Sequence, residues 1–328
     1  MSEMTSEARA ARTAALALKG VARDESLKEY VANEPALHDV LLRAAMRFIG
    51  GEQLGECLQE TREINDNGFA TSIDYMGEST RDARIAEEAT REFEHVVDAI
   101  SEQNLDSSIS LDLSHVGLVL DADLCYQNAS TLAAKAQKAG IEMMVSMEGS
   151  ERTDEVLAMY RRLSERYSNV GITIQVYLHS TQQTLKRMLE YPGRIRLVKG
   201  AFEEPKTIAM PRGEEIDAAY RAAVETVLAS RHPCSIATHD PVLLEHAHAV
   251  VSESGSDASH VEFEMLKGVE LDRLRQMRDL GYRSRVYLPY GEEWYLYLCH
   301  RLAEYPPNIY QAVADAIGSE GDNESSSF

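Results

Sequence analysis

No run of about 18 or more apolar residues occurs anywhere in the 328-residue chain, which excludes a helical membrane span of ordinary length. Cysteine is scarce, and the four present, Cys57, Cys125, Cys234 and Cys299, lie far apart without a Cys-x-x-Cys pair. That spacing argues against a disulfide frame or a zinc site; buried thiols in a reducing compartment are expected, and no metal site. Positive charge is in deficit, 33 lysines and arginines against 54 aspartates and glutamates, for a formal net charge of −21. Nucleic-acid binding needs a basic face and is set aside. The acidic excess favours solubility, as in a salty cytoplasm, and says nothing about fold. The N-terminal MSEMTSEARAARTAALALKG mixes alanine with charge and has no clear cleavage site, so it reads as an exposed helix rather than a signal peptide. No repeat of solenoid spacing is present.

What is there is a change of rhythm near Gly68. Before it, residues 5–65 read as helical, with apolar positions recurring at Leu37, Val40, Leu41, Ala44, Ala45 and Phe48, then at Leu54, Cys57 and Leu58. After it, short β-prone runs alternate with amphipathic stretches. The predicted strands are 69–75, 108–113, 141–146, 172–176, 195–198, 235–238, 260–264 and 285–288. Segments such as 82–100, 154–167, 214–230 and 270–280 separate them as helices. Eight strands with intervening helices over about 230 residues fit an α/β fold, a (β/α)8 barrel of distorted TIM type preceded by N-terminal helices. An open dinucleotide-binding sheet fits less well, because no Gly-x-Gly-x-x-Gly follows the first strand. The expected division is a helical segment at 1–66, the barrel at 67–310, and a helix end with an acidic, Ser-rich, disordered tail at 311–328.

The stretch 194–205, RIRLVKGAFEEP, stands at the centre of this organisation. A β-prone run ends abruptly in Lys199 and Gly200, as a strand opening onto a site would: the glycine lets the backbone approach a ligand and the lysine sets a cation at the rim. An ordinary strand closed by a snorkelling lysine and a turn glycine reads the same from these residues alone. The neighbouring strand ends decide for a site. Asp112 comes late in the second run, Ser146 and Glu148 follow the third, and Gln175 ends the fourth. Thr238, His239 and Asp240 end the sixth, Glu262 and Glu264 lie in the seventh, and Tyr287 ends the eighth. Polar residues converging at the C-terminal ends of barrel strands mark a pocket.

Several of these segments resemble the proline dehydrogenase family: RLVKGA at 196–201 with Glu204 and Pro205, ATHD at 237–240, and EFEMLKG at 262–268. So do RVYLPYGEEWYLYLCHRLAEYPPN at 285–308 and GFATSIDYMGES at 68–79, in matching order across about residues 40–310. The resemblance implies a distorted (β/α)8 barrel holding FAD noncovalently. It implies oxidation of L-proline to 1-pyrroline-5-carboxylate by hydride transfer to flavin N5, with electrons passed to a quinone. A cytoplasmic protein touching the inner face of a membrane peripherally follows from that acceptor. On the same resemblance Arg196 stands near flavin N5, where a cation stabilises the reduced ring. Val198, Lys199, Gly200 and Ala201 run along the cofactor, Gln175 bonds its ring, Thr238 and His239 contact it, and Glu304 supports the site by holding Arg301. Tyr287 and Arg301, with Arg196, are the implied catalytic residues, and Tyr287, Tyr297, His300 and Arg301 face the substrate.

The substrate side departs from the family pattern. The family's lysine on the second strand is Asp112 here, its aspartate on the third strand is Ser146, and its Arg-Arg pair on the last helix is His300-Arg301. The tyrosine after KGA is Phe202. An ionised Asp112 beside a substrate carboxylate at a few ångströms and an effective dielectric near 20 is unfavourable by about 4 kcal/mol. Either Asp112 pairs with Arg301 or a protonated His300, or the substrate presents something cationic or neutral there. Three readings follow: a proline dehydrogenase, a flavoenzyme of the same family acting on another cyclic amine or proline derivative, or a non-catalytic FAD-binding redox sensor.

Overall fold

Two units make up the chain, Thr61–Tyr287 and a second assembled from Met1–Glu60 with Leu288–Phe328. The computed structural model describes residues 6–22, 24–253, 255, 258–304 and 307–317. The tail expected to be disordered, from 318 onward, lies outside the described residues.

The first unit carries eight parallel strands, hydrogen-bonded in sequence order and closed into a barrel. They are β1 Ala70–Tyr75, β2 Ser107–Leu111, β3 Met143–Val145, β4 Val170–Gln175, β5 Ile195–Val198, β6 Cys234–Ala237, β7 Val261–Leu266 and β8 Arg283–Tyr290. The barrel expected from the sequence is present, with strand ends moved by a few residues: Asp112 and Ser146 fall just beyond β2 and β3, and β8 runs past Tyr287. A helix follows each of the first seven strands: α5 Ala83–Glu102, α6 Ala122–Ala139, α7 Thr153–Ser164, α8 Thr181–Met188, α9 Glu214–Ser230, α10 Pro241–Glu253 and α11 Leu271–Asp279. Each helix forms for local reasons. In α5, Asp82 caps the N-terminus by accepting from the Arg84 amide, and Ala86, Ala89, Phe93, Val96, Val97 and Ile100 make one buried stripe at helical spacing. In α6, Asp121 caps the start and Gly140, left-handed at φ 73°, ends it.

The apolar core lies between strands and helices, built from outward-facing Ile73, Ile109, Leu111, Ile172, Ile174, Leu197 and Ile236. The barrel interior is different. Cross-strand register places Asp74 beside Ser110, Thr173 beside Arg196, Arg196 beside Ser235, Ser235 beside Glu262, and Glu264 beside Arg285. The usual filling of branched aliphatic layers is replaced by buried polar and charged side chains. Deep in the barrel, Arg285 grips Glu262 with two hydrogen bonds, Nε to Oε1 at 3.0 Å and Nη2 to Oε2 at 3.1 Å. Arg194 approaches the same carboxylate at 3.8 Å and donates to Glu142 at 3.1 Å. Burial alone would raise Glu262, but Arg285 and Arg194 bring its carboxyl down to about 2.

The second unit contains α1 Ser6–Ala22, α2 Glu25–Asn33, α3 Pro35–Ala45, α12 Trp294–Glu304 and α13 Pro307–Ile317, while α4 Leu54–Asp66 runs across the division. The break after α2 falls before Pro35, as a proline at the first helical turn requires. Helix α1 packs on α12 and α3 on α13, so helices from both ends of the chain share one core. Polar clamps reinforce this: Arg47 holds Asp315 at 2.6 and 3.0 Å, and the Trp294 indole donates to Glu52 at 2.7 Å. All four cysteines are buried and none is in a disulfide. No helix among the described residues is long and apolar enough to cross a membrane.

Candidate active site

At the C-terminal mouth of the barrel inward-facing residues of five strands, β1, β2, β5, β7 and β8, meet around one guanidinium. Arg196, on the inner face of β5, is buried and donates from Nε to Glu264 of β7 at 3.0 Å. Its Nη1 reaches Ser110 of β2 and its Nη2 reaches Ser72 of β1, each at 3.2 Å. The Tyr287 ring of β8 lies against the same guanidinium, 5.5 Å from centroid to Cζ. Tyr287 in turn donates a short hydrogen bond from its hydroxyl to Asp74 at the end of β1. Period-2 alternation alone places Ser72 and Asp74 on one face of β1, but nothing in a lone strand says that this face is the barrel interior. Asp74 therefore escaped the sequence reading.

The carboxyl groups of the mouth fall into two kinds. Glu264 and Glu148 are engaged: Glu264 by Arg196, and Glu148 by the Ser114 amide at 2.9 Å and by Arg152 at 3.2 Å. Burial raises Glu264 while Arg196 opposes the rise. Asp74 is pushed by burial up to about 6, held back by the Tyr287 hydroxyl and the Arg196 charge. Asp112 is the extreme. Burial raises it first, then the charges of Asp74, Glu148 and Glu78, and its hydrogen bond with Ser146 offsets little of this, leaving it well above the ordinary carboxylate range. The barrel surrounds Asp112 with anions. Burial and its anionic neighbours both oppose the ionised form of Asp112, which lessens the repulsion expected beside a substrate carboxylate.

The other residues singled out in the sequence take definite places. Gln175, ending β4, donates from Nε2 to the Glu148 carbonyl at 3.2 Å; its Oε1 is buried with no partner among the described residues. Ser146 shares a hydrogen bond with Ser110 at 3.2 Å, so Asp112, Ser146, Ser110 and Arg196 form one connected chain. Lys199 does not stand alone at the rim: Asp217 of α9 and Asp240 hold its ammonium at 2.7 and 2.8 Å. Thr238 is buried and accepts from the Asp240 amide at 3.2 Å, while His239 accepts from the Leu266 amide at 3.1 Å, which fixes the imidazole. Val198 and Gly200 are half-buried and Ala201 is exposed. Tyr297, His300, Arg301 and Glu304 lie on α12, in the other unit. There Arg301 pairs with Glu304 at 2.8 Å and lies over the Tyr297 ring, 5.0 Å from its centroid.

Comparison with known proteins accounts for this arrangement. The profile described as proline dehydrogenase matches residues 57–308. The chain belongs to the proline dehydrogenase family. Proline dehydrogenase 2 of Bacillus subtilis is 33% identical over 266 residues, covering 81% of this chain and 88% of that protein. Proline dehydrogenase of Deinococcus radiodurans is 32% identical over 269 residues, with 80% and 87% covered. Among solved structures, proline utilization A from Bdellovibrio bacteriovorus, inactivated by N-propargylglycine, superposes with a TM-score of 0.75 at 18% identity. That likeness is one of fold; it covers 93% of this chain and 41% of the larger protein, so the chain spans about two fifths of it. Membership makes this an oxidoreductase of proline catabolism built on the barrel described above.

Proposed function

We propose that this chain oxidises L-proline to 1-pyrroline-5-carboxylate, with noncovalently held FAD as hydride acceptor and a quinone as the electrons' destination. Family membership supplies the reaction class. The observation that carries the finer reading is the buried Arg196 guanidinium, held from three strands at the barrel mouth beside RLVKGA. The residues present fit a flavin. Gln175 Oε1 is a buried acceptor without a partner among the described residues, and the pyrimidine edge of an isoalloxazine offers an N–H donor. Gly200 adopts φ +113°, and a Cβ there would lie 2.3 Å from the Tyr177 ring, so backbone alone lines this turn. Arg196, Gln175, Gly200, Ala201, Thr238 and His239 would hold the cofactor, which when bound accepts two electrons as a hydride.

This chain's own residues do the rest. Arg196 places a fixed, desolvated positive charge where negative charge develops, its orientation set by Glu264, Ser110 and Ser72. Tyr287 offers a ring face and a hydroxyl beside it. Asp112 and Ser146, hydrogen-bonded to each other, stand in place of a lysine–aspartate pair. The substrate-facing roles implied for Tyr297, His300 and Arg301 belong to the same reading. The anionic surroundings of Asp112 favour one second reading, in which the substrate is a cyclic amine or proline derivative lacking a free carboxylate at that position.

Anaerobic titration of the purified protein separates these. Bleaching of a flavin absorbance band by proline at millimolar or lower concentration is the expected result. Bleaching only by another cyclic amine supports the second reading. A yellow protein that no amine reduces points to a redox sensor, and a colourless, folded protein overturns the assignment of FAD.

A further inference from the structure

Hydride departure from the carbon beside a ring nitrogen needs the nitrogen lone pair, yet a ring amine, like lysine, is protonated at neutral pH. A proton must leave first, and the oxidation read above, on which this inference rests, names no group to take it. Five carboxyl groups can be weighed in the barrel unit. Glu264 is bonded to Arg196, Glu148 to Arg152 and the Ser114 amide, and Asp240 to Lys199. Asp112 is bonded to Ser146 and, besides its burial, faces the carboxylates of Asp74, Glu148 and Glu78, like charges that oppose its anion. Asp74 differs from all four. It is buried at the end of β1, receives the Tyr287 hydroxyl from β8, and feels the Arg196 guanidinium from β5. Both neighbours favour its anion.

We infer that Asp74 is the proton acceptor of the reaction. Its carboxylate takes one proton from the ring ammonium: an N–H bond breaks, a carboxylic O–H forms, and the nitrogen keeps the electron pair. A hydride then leaves the adjacent ring carbon with two electrons for the hydride acceptor, and the nitrogen pair closes the C=N bond. Tyr287 is the positioning residue, since its hydroxyl orients Asp74 and supports its charge. The charged and titratable groups facing Asp74 are Tyr287, Arg196 and Asp112, with Glu78 and Glu148 around Asp112 and Glu264 behind Arg196. Burial sets Asp74 at about 6, where a base is ionised at neutral pH and still basic enough to work.

The experiment is kcat/KM against pH with a dye acceptor, for proline and for 4,4-difluoroproline, whose ring nitrogen is much less basic. In the wild-type protein the acid limb belongs to the enzyme and is the same for both substrates. In Asp74→Asn only the free amine is productive. Its kcat/KM for proline at neutral pH falls about 10²–10⁴-fold and climbs about tenfold per pH unit up to the amine's own pKa. That limb moves down with difluoroproline, so the deficit shrinks. Tyr287→Phe removes a donor to the Asp74 anion and shifts the wild-type limb to higher pH, which keeps the test open if Asp74→Asn fails to fold. An acid limb unmoved by either substitution, or a deficit equal for both amines, overturns the proposal while leaving proline oxidation intact. A wild-type protein that turns over neither amine overturns the proline reading, and this inference with it.

Discussion

Gly200 shows how much one residue can carry. Its left-handed φ of +113° is strained for any side chain, and the site a Cβ would occupy is already filled by the Tyr177 ring at 2.3 Å. Gly200→Ala is expected to lower stability by about 1–3 kcal/mol and to reduce retained flavin, measured by urea unfolding and by the absorbance ratio of purified protein. Unchanged values for both would show that this turn neither holds a cofactor nor is fixed by its neighbour. Asp112 shows the limit of reading residues one at a time. Its replacement of a lysine is visible in the letters ISLDLS. What raises its carboxyl is not, because burial comes from the whole fold and the neighbouring charges come from Asp74 on β1 and from Glu148 and Glu78 in two other loops. The pairs within RLVKGA, ATHD and the last helix were legible because a short motif keeps its own spacing. Asp74 was not, since a polar residue in one strand acquires meaning only from the side chains brought to it across the barrel.

At the level of strands and helices, the order of elements was legible and their inner faces were not. Period-2 and 3.6-residue patterns located all eight strands, and β5 at 195–198 without error. Strand ends moved because a single chain cannot show where a neighbour stops bonding: β7 runs on to Leu266 in register with Tyr287, past the predicted 264. The charged interior follows from register as well. Glu262 sits between Arg285 and Arg194 only because β7 lies beside β8 and near β5. Removing one partner of such a buried group leaves the others uncompensated, so Glu262→Gln should lower stability by about 3–5 kcal/mol. Its pH signature has a definite sign. The folded state holds Glu262 near 2 against an ordinary 4.5, so its contribution is present above about 4.5 and lost as pH falls towards 2. Acid unfolding of Glu262→Gln should lose that part of the slope. An unaltered acid transition would place the stabilising charge elsewhere.

For the whole chain, the surplus of acid must reside at the surface. The buried cations Arg196 and Arg285 are matched inside by Glu264 and Glu262, so the net −21 is carried by exposed groups that repel one another. Salt screens such charges strongly and buried pairs weakly. Raising ionic strength from about 0.05 to 1 M should therefore raise the melting temperature, by about 2–4 °C for each kcal/mol of repulsion removed. The loss caused by Glu262→Gln should remain nearly constant over that range. A melting temperature indifferent to salt would mean that the acidic groups are spaced too widely to interact.

Helices α1 and α3 find their partners α12 and α13 only across the whole length of the barrel unit, since Met1–Glu60 and Leu288–Phe328 build one core. On a ribosome this fixes an order of events. The first helices emerge early and wait while about 230 further residues are made, a delay of roughly 10–50 s at ordinary synthesis rates, with α1 lacking α12 and α3 lacking α12 and α13. During that interval they are open to chaperones, to proteases and to other nascent copies. A circular permutant that begins at the barrel and places α1–α4 after α13 would shorten the wait, and its yield relative to the natural order would measure what the delay does to folding in the cell.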